Sequence, residues 1–296
     1  MRAADGLELH VTTYGPLDAP VTVLLAHCWT ADEDDWHYQV RDLLAHFGHG
    51  VRLVTWDHRG HGRSEVASEA TCTIEQLARD LGAVVDEHAP HGPLVLAGHS
   101  IGGMTMMALP RERPDLVPRV AALLFCSTSS GAMDTVTLGL PEVGPTLRNQ
   151  IPRMLASRAR LLSRSARRRF PTIERQVTYR FLFGEDPQRR DTGLVVDQLT
   201  RCSPATMRGF YLSALAHERT DALAAYAGLP ATVLVGSHDL LTPPHHARRI
   251  ASALPGSALL VAPGAGHMLP LERSRLVSDE LVTLVERVLA GGSSST

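Results

Sequence analysis

The sequence contains no lysine, so all 29 of its strongly basic residues are arginine. We interpret this as a bias in codon usage and give it no mechanistic weight. The arginines are balanced by 31 acidic residues, which leaves a formal net charge of −2. Such a balance favours neither nucleic acid nor an anionic membrane surface as a partner.

Long hydrophobic runs and closely spaced cysteines are also absent. No stretch of eighteen consecutive apolar residues occurs, so no transmembrane helix is predicted. The first eight residues lack the apolar segment of a secretory signal. The cysteines show no C-x-x-C spacing, which is typical of reduced thiols rather than of disulfides or a zinc site: Cys28, Cys72, Cys126 and Cys202. We therefore expect a cytoplasmic protein.

The chain has 296 residues, of which 44% are hydrophobic, and this is enough for a large buried core. Apolar runs at 21–26, 51–56, 94–97 and 120–126, predicted as strands, alternate with helical patterns near 36–47 and 74–85. Alternating strands and helices indicate parallel βαβ units. A further strand at 7–13, followed by a turn at 15–18, predicts an antiparallel pair with the strand at 21–26.

The alternation stops after residue 127 and resumes near 228, with predicted strands at 231–236 and 258–262 and helices at 245–253 and 274–289. We therefore predict an α/β core formed by residues 1–127 and 228–296, with a helical cap inserted at 128–227. This cap holds twelve arginines and only three acidic residues between positions 148 and 190. These arginines either solvate helices or contact an anionic carrier protein or a CoA-linked substrate.

One motif in the core carries chemistry. Residues Gly98 to Gly102 form a G-x-S-x-G pattern between a predicted buried strand and a run of helix-forming residues. This pattern is typical of a sharp strand-to-helix turn that exposes a serine hydroxyl above a sheet. A glycine-rich loop without chemistry is the alternative. The strand before the motif and the helix after it favour Ser100 as a nucleophile.

A nucleophilic serine needs a base, and the base needs a group that orients it. His267 follows the last predicted strand in a glycine-rich loop, and Asp239 follows the strand before that one. Because the carboxyl ends of parallel strands share one edge of a sheet, we expect Ser100, Asp239 and His267 to converge. Taken singly, Asp239 suits a helix N-cap and His267 a solvated loop. Asp134 is the next acidic candidate.

With these residues in place, the chain resembles the α/β-hydrolase family. Its motifs, in the family's order, are Asp57-x-Arg59-Gly60-His61-Gly62-x-Ser64, Gly98-His99-Ser100-Ile101-Gly102-Gly103, Gly236-x-x-Asp239 and Gly266-His267. The resemblance covers residues 5–127 and 228–290 and leaves out the cap. It implies an α/β-hydrolase fold, with a mostly parallel central sheet, helices on both faces and an inserted helical cap.

The resemblance also implies roles for single residues. It implies a catalytic triad of Ser100, His267 and Asp239. It further implies an oxyanion hole, the pair of N–H donors that stabilises a negatively charged oxygen, formed by the backbones of Ile101 and Trp29.

Two positions depart from the family's pattern. Cys28 stands where the family usually has glycine, and it is also the alternative to Trp29 as the second oxyanion donor. A side chain there is expected to alter the backbone angles of the loop. Pro110 comes soon after the turn at Ser100, and it is expected to shorten or kink the helix that follows.

Five residues near these motifs are predicted to line the substrate pocket: Cys28, His99, Met104, Met133 and Met268. The flexible methionine side chains suit an apolar acyl group. Two histidine pairs, His58-x-x-His61 and His245-His246, resemble metal ligands, but no carboxylate or cysteine completes a ligand set. We therefore predict neither a metal nor a cofactor.

The sequence thus predicts a serine hydrolase that cleaves a carboxylic ester, or a related acyl bond, of a small to medium apolar substrate through an acyl-enzyme. The predicted partner is a small-molecule acyl substrate, free or linked to a carrier protein or CoA. The alternatives are a cofactor-free perhydrolase or haloperoxidase, a carbon–carbon bond hydrolase, a thioesterase or cyclase, and a ligand-binding receptor that retains the triad. The triad by itself does not separate them.

Overall fold

The computed structural model describes residues 1–136, 146, 149–154, 157, 175–176 and 178–292, and a seven-stranded sheet lies at its centre. In chain order the strands are β1 (Val11–Tyr14), β2 (Thr22–Ala26), β3 (Arg52–Trp56), β4 (Leu94–His99), β5 (Val120–Cys126), β6 (Ala231–Gly236) and β7 (Ala258–Ala262). Across the sheet their order is β1-β3-β2-β4-β5-β6-β7. β1 is antiparallel to β3, and the other neighbouring pairs are parallel.

The predicted pairing of the first strand is wrong. β1 pairs with β3, with Val11 opposite Trp56, and β2 lies on the far side of β3. Every residue of β2 is buried, whereas β1 is partly exposed along its length. The interior of the sheet, with helices on both faces, therefore suits β2, and the edge suits β1.

Helices cover both faces of the sheet. They are α1 (His37–Phe47), α2 (Ile74–His88), α3 (Ile101–Glu112), α4 (Arg189–Arg201), α5 (Pro204–Leu215), α6 (Pro244–Ala253), α7 (Leu269–Glu272) and α8 (Ser274–Gly292). One apolar cluster joins the sheet to α2, α3 and α6, and another joins its opposite face to α1 and α8. The predicted sheet with helices on both faces is therefore confirmed. No helix within the described ranges is long and apolar enough to cross a membrane.

Shorter helical segments connect these elements. Single 3₁₀ helices occur at Glu33–Trp36, Gly48–Gly50, Glu69–Thr71, Pro114–Arg119, Met133–Thr135 and Asp221–Tyr226, and a π-helix occurs at Thr178–Leu182. The 3₁₀ helix at Glu33–Trp36 matters for the site, because it carries a buried aspartate beneath the loop after β2.

The chain between β5 and β6 includes α4 and α5. The predicted cap, 128–227, falls in this region, and its limits stay a prediction. Seven of the twelve arginines between positions 148 and 190 lie outside the described residues: Arg148, Arg158, Arg160, Arg164, Arg167, Arg168 and Arg169. Structural arguments about the cap therefore use α4, α5 and the segments next to them.

Candidate active site

A sharp turn joins β4 to α3 at Ser100. The backbone of Ser100 has φ 54° and ψ −116°, a conformation that residues other than glycine rarely adopt. Glycine is required on both sides of the turn. A Cβ on Gly98 would lie 2.4 Å from the backbone nitrogen of Gly103, and a Cβ on Gly102 would lie 2.2 Å from the carbonyl oxygen of Ala26. The G-x-S-x-G spacing therefore follows from close packing, and it leaves Ser100 at the start of α3.

The loops after β6 and β7 bring Asp239 and His267 into contact. Nδ1 of His267 lies 2.9 Å from Oδ2 of Asp239 and 3.1 Å from its Oδ1. Both residues are buried. Because an ionised carboxylate only accepts hydrogen bonds, Nδ1 carries a proton, and Nε2 of the neutral ring is left as an acceptor. This is the tautomer that a general base needs.

Asp239 is held as an anion by its own turn. Its Oδ1 accepts hydrogen bonds from the N–H groups of Leu241 and Thr242, and its Oδ2 accepts one from the Thr242 hydroxyl. Burial alone would raise the pKa of Asp239, but the positive charge that His267 carries when it is protonated and these hydrogen bonds lower the pKa to about 2. Sequence reasoning missed Thr242, although polar residues close to an aspartate are common in such turns.

The loop after β2 contains the second predicted oxyanion donor. The N–H of Cys28 donates to Oδ2 of Asp35 at 3.1 Å, so it is already occupied. The backbone N–H groups of Trp29 and Ile101 have no acceptor within the described part of the chain. Of the two predicted alternatives, Trp29 is therefore the one with a free donor.

Cys28 fits this loop without backbone strain. The residue with a positive φ is Thr30, at 66°, whereas Cys28 is not among the residues with positive φ. The N–H of Thr30 donates to Nε2 of His61 at 3.2 Å, which stabilises this unusual conformation. A side chain at position 28 therefore does not cause the unusual angles of the loop.

Three buried histidines support the same loop. His27 donates through Nδ1 to the Cys28 carbonyl at 2.8 Å, and its Nε2 accepts from the N–H of His58. His58 donates in return through Nε2 to the His27 carbonyl, and His61 donates through Nδ1 to the Arg59 carbonyl. Burial lowers the pKa of His58 to about 3 and that of His61 to about 4, so both rings stay neutral.

An apolar cavity opens at Ser100, with an empty volume of about 580 Å³ that includes its mouth. Two of the predicted pocket residues, Met104 and Met133, line it together with Trp29. Sequence reasoning missed several other walls, because they come from α5 and from loops far away in the chain: Val136, Phe210, Tyr211, Ala214, Leu215 and Leu241.

A second cavity, with an empty volume of about 490 Å³ that includes its mouth, also reaches Ser100. The predicted pocket residues Cys28 and Met268 line it, and so does His267. Residues of α4 close it, among them Gln198. Ser100 and His267 therefore share one cavity wall.

His99 lines neither cavity, which corrects its prediction as a pocket residue. The side chain is fully buried, and its ring meets that of Trp36 edge-on. Nδ1 lies 2.7 Å from Oδ2 of Asp35, and Nε2 lies 2.9 Å from the carbonyl oxygen of His267. Because side chains alternate along a strand, His99 shares its face with Ala97 and points toward the α1 side of the sheet.

One group of potential metal ligands occurs among the described residues. Cys28, Asp35 and His99 offer ligand atoms that lie within 4.8 Å of one another. A tetrahedral zinc ion holds nitrogen and oxygen ligands about 3.3 Å apart. The His99–Asp35 distance of 2.7 Å is too short for that and is typical of a hydrogen bond. These three residues do not fit a metal as they are arranged.

Known proteins resemble this chain in sequence. It is 36% identical over 151 residues to the lipase LipV of Mycobacterium tuberculosis, and the match covers 51% of this chain and 49% of that protein. It is 33% identical over 150 residues to the bifunctional esterase/perhydrolase DCH of Acinetobacter calcoaceticus, covering 50% and 52% of the two chains. The chain thus spans about half the length of these curated relatives.

The resemblance extends to the fold and to the family as a whole. The solved structure of a thermophilic esterase from Thermogutta terrifontis matches with a TM-score of 0.77 and 25% identity, covering 97% of this chain and 96% of that one. The family model of the alpha/beta hydrolase fold matches residues 21–274, which is well over half of the chain. The family expected from the motifs is therefore confirmed: this chain belongs to the α/β-hydrolase family.

Proposed function

We propose that this protein hydrolyses carboxylic esters of small to medium apolar acids through an acyl-enzyme on Ser100. One observation carries the proposal: His267, held 2.9 Å from Asp239, lines the same cavity as Ser100. A serine, a base of fixed tautomer and an anion that orients the base are the parts of an activated nucleophile for acyl transfer.

In the first half of the reaction, Oγ of Ser100 attacks the ester carbonyl carbon while Nε2 of His267 takes the hydroxyl proton. The carbonyl oxygen becomes an oxyanion, which the N–H groups of Ile101 and Trp29 stabilise. His267 then gives its proton to the leaving alcohol, and the acyl group remains on Ser100. The ionised Asp239 stabilises the imidazolium throughout.

In the second half, His267 takes a proton from water, and the resulting hydroxide attacks the acyl carbon. The tetrahedral intermediate collapses, the Ser100 oxygen recovers the proton from His267, and the acid is released. No redox partner is needed, because atoms and charges balance with water alone.

The apolar cavity supports the substrate class. It opens beside Ser100, and its walls are mostly apolar, as is usual for sites that bind small molecules. Methionine and aromatic side chains line the cavity and offer no charge to an anionic acyl group: Trp29, Met104, Met133, Phe210 and Tyr211. The names of the similar proteins, a lipase and two esterases, agree with ester cleavage.

Perhydrolysis is the second candidate. The observation that favours it is the similarity to a protein named as a bifunctional esterase/perhydrolase. In this reaction hydrogen peroxide takes the place of water in the second half and releases a peracid from Ser100. Peroxide-dependent bromination in the presence of acetate measures that activity.

Fluorophosphonate labelling, combined with p-nitrophenyl esters of increasing acyl length, tests the proposal. We expect the wild-type protein to be labelled at Ser100 and to turn over the shorter esters. Ser100→Ala should fold normally and lose about 10³-fold or more in kcat. The exposed Ser68 provides a matched control, since Ser68→Ala should change neither readout. A wild-type protein that is neither labelled nor active would contradict the proposal and favour the ligand-binding receptor.

A further inference from the structure

Beneath the site, Asp35 and His99 form a contact that the proposed reaction does not use. Both side chains are fully buried, and their Oδ2 and Nδ1 atoms lie 2.7 Å apart. We infer that Asp35 and His99 are a buried ion pair that positions the loops of the general base and of the oxyanion hole. Its effect on catalysis rests on the proposed ester hydrolysis.

The hydrogen-bond pattern requires an additional proton. Both nitrogens of the His99 ring face oxygen acceptors: Asp35 on one side and the His267 carbonyl at 2.9 Å on the other. A carbonyl oxygen cannot donate, and a neutral imidazole has only one N–H. Both contacts are therefore hydrogen bonds only if the pair holds a second proton, either on His99 beside an Asp35 carboxylate or on the Asp35 carboxyl beside a neutral ring.

The surroundings support the charged form. Burial alone would lower the pKa of His99, but the Asp35 carboxylate, the His267 carbonyl and the charge of Asp239 raise it above its usual value. The other titratable groups that face the pair are uncharged thiols and imidazoles or the general base itself: Cys28, Cys126, His27 and His267. Within the described residues, Asp35 is thus the direct counter-ion of His99.

The pair contacts three parts of the site at once. Oδ2 of Asp35 accepts a second hydrogen bond, from the N–H of Cys28, directly before the predicted oxyanion donor Trp29. His99 holds the His267 carbonyl, and it also directly precedes Ser100 in the chain. A shift of the pair would therefore move the base and the oxyanion loop together, whereas the walls of the apolar cavity that come from α5, among them Phe210, lie on a separate element.

Asp35→Asn separates this role from simple packing. The amide keeps the volume of the carboxylate, and its oxygen can still accept from the Cys28 N–H. Without the negative charge, His99 loses its extra proton. The asparagine can then accept from the Cys28 N–H or donate to Nδ1 of His99, but one group at the Oδ2 position cannot do both, so one of the contacts of the pair is lost. We expect kcat to fall by about ten- to a hundredfold, because small displacements at a reacting centre are costly. KM should change little.

The pH dependence of kcat and nitrogen NMR test the charge of the pair directly. Neither measurement would change if Asp35 and His99 only filled space. In the wild type, loss of the His99 proton gives kcat an alkaline limb, and in Asp35→Asn this limb should move to lower pH. Nitrogen NMR of wild-type histidines should show one buried ring with two protonated nitrogens at neutral pH. Asp80→Asn is the control, since Asp80 is a buried carboxylate paired with Arg59 away from the site. Asp80→Asn should lower the free energy of unfolding and leave the alkaline limb of the kcat profile at the same pH.

The possible results distinguish a failure of the ion pair from a failure of the proposed hydrolysis. An unchanged kcat profile in Asp35→Asn, or only singly protonated rings in the wild type, overturns the ion pair. If Asp35→Asn does not fold, the wild-type nitrogen spectrum still decides. Absence of labelling and turnover in the wild type contradicts the proposed hydrolysis instead, and it leaves the nitrogen spectrum to test the pair alone.

Discussion

The Tyr226 hydroxyl donates a hydrogen bond of 2.8 Å to the carbonyl oxygen of Met106. Proline lacks an N–H, so Pro110 leaves this carbonyl, four residues earlier in α3, without its helical partner. α3 nevertheless continues two residues past Pro110, to Glu112. A tyrosine from the segment before β6 thus stabilises the helix that begins at Ser100.

We expect Tyr226→Phe to lower the free energy of unfolding by about 1–3 kcal/mol, because it leaves a buried carbonyl unpaired. Pro110→Ala restores an N–H that can bond to the same carbonyl, so the cost of Tyr226→Phe should shrink in that background. Urea unfolding of the wild type, the two single variants and the double variant gives the coupling energy between Tyr226 and Pro110. An equal cost in both backgrounds would show that the Met106 carbonyl does not need Tyr226.

The elements that could be predicted are those specified by neighbouring residues. The strand predicted at 94–97 is β4, Leu94–His99, and the helix predicted at 274–289 is α8, Ser274–Gly292. The pairing of β1 could not be predicted in this way, because it depends on which strands the helices cover.

The same distinction between local patterns and distant contacts applies to the residues of the site. Ser100, Asp239 and His267 each follow a predicted strand, so their meeting at one sheet edge could be expected from the sequence. The contact between His99 and Asp35 spans 64 positions of the chain, and no local pattern marks it. The cavity walls from α5 were missed for the same reason, and the catalytic roles themselves stay predictions.

Asp239→Asn should keep the fold and lower kcat by about 10³- to 10⁴-fold. The asparagine amide donates where the carboxylate accepts, so His267 would carry its proton on Nε2 and could not act as a base. The matched control is Asp134→Asn, an exposed acid at the next candidate position, which should leave kcat unchanged. Steady-state kinetics measure both, and the reverse result would assign the acid's role to Asp134.

Cys28→Gly should leave kcat/KM within about tenfold of the wild type. The N–H bond to Asp35 does not require a side chain, and a glycine adds only conformational freedom. Burial raises the pKa of the Cys28 thiol well above its usual value, which keeps it protonated and a poor nucleophile. Mass spectrometry of the protein after brief reaction with substrate should find no acyl group on Cys28. Stoichiometric acylation there would contradict this role.

The basic segment between 148 and 190 carries a formal excess of nine positive charges, since it has twelve arginines and three acids. If these arginines only solvate helices, the KM of a neutral ester and that of a CoA thioester should respond equally weakly to salt. This is the result we expect. Docking of an anionic carrier would raise the thioester KM several-fold more, because salt at 0.1 M screens exposed charges beyond about 10 Å.

The buried histidines predict how stability depends on pH. Burial lowers the pKa of His217 to about 3 and that of His246 to about 4, as it does for His58 and His61. In the unfolded chain these groups titrate near about 6.5. Their contribution to stability is therefore complete above that pH, and it is lost as the pH falls toward 4, because the unfolded state then binds more protons.

Asp32 has the opposite effect on the free energy of unfolding within the same pH range. Burial raises the pKa of this carboxyl to about 6, so between about 4 and 6 the folded state holds a proton that the unfolded state releases. Asp57, Glu272 and His99 also have raised pKa values and act in the same direction as Asp32. The histidines whose pKa is lowered outnumber these four groups: His27, His58, His61, His88, His217 and His246. The free energy of unfolding should therefore fall steeply below about pH 6.

His217 gives the sharpest test, because neither of its ring nitrogens has a hydrogen-bond partner among the described residues. His217→Leu removes a buried group that must stay neutral. The free energy of unfolding should therefore fall less in the variant than in the wild type as the pH is lowered. Between pH 8 and pH 5, the free energy of unfolding of the variant should fall by about 2 kcal/mol less than that of the wild type. The control is His49→Asn at an exposed histidine, which should track the wild type. Urea unfolding at both pH values measures the difference, and a parallel decline of His217→Leu and wild type would mean that His217 is charged in the folded protein.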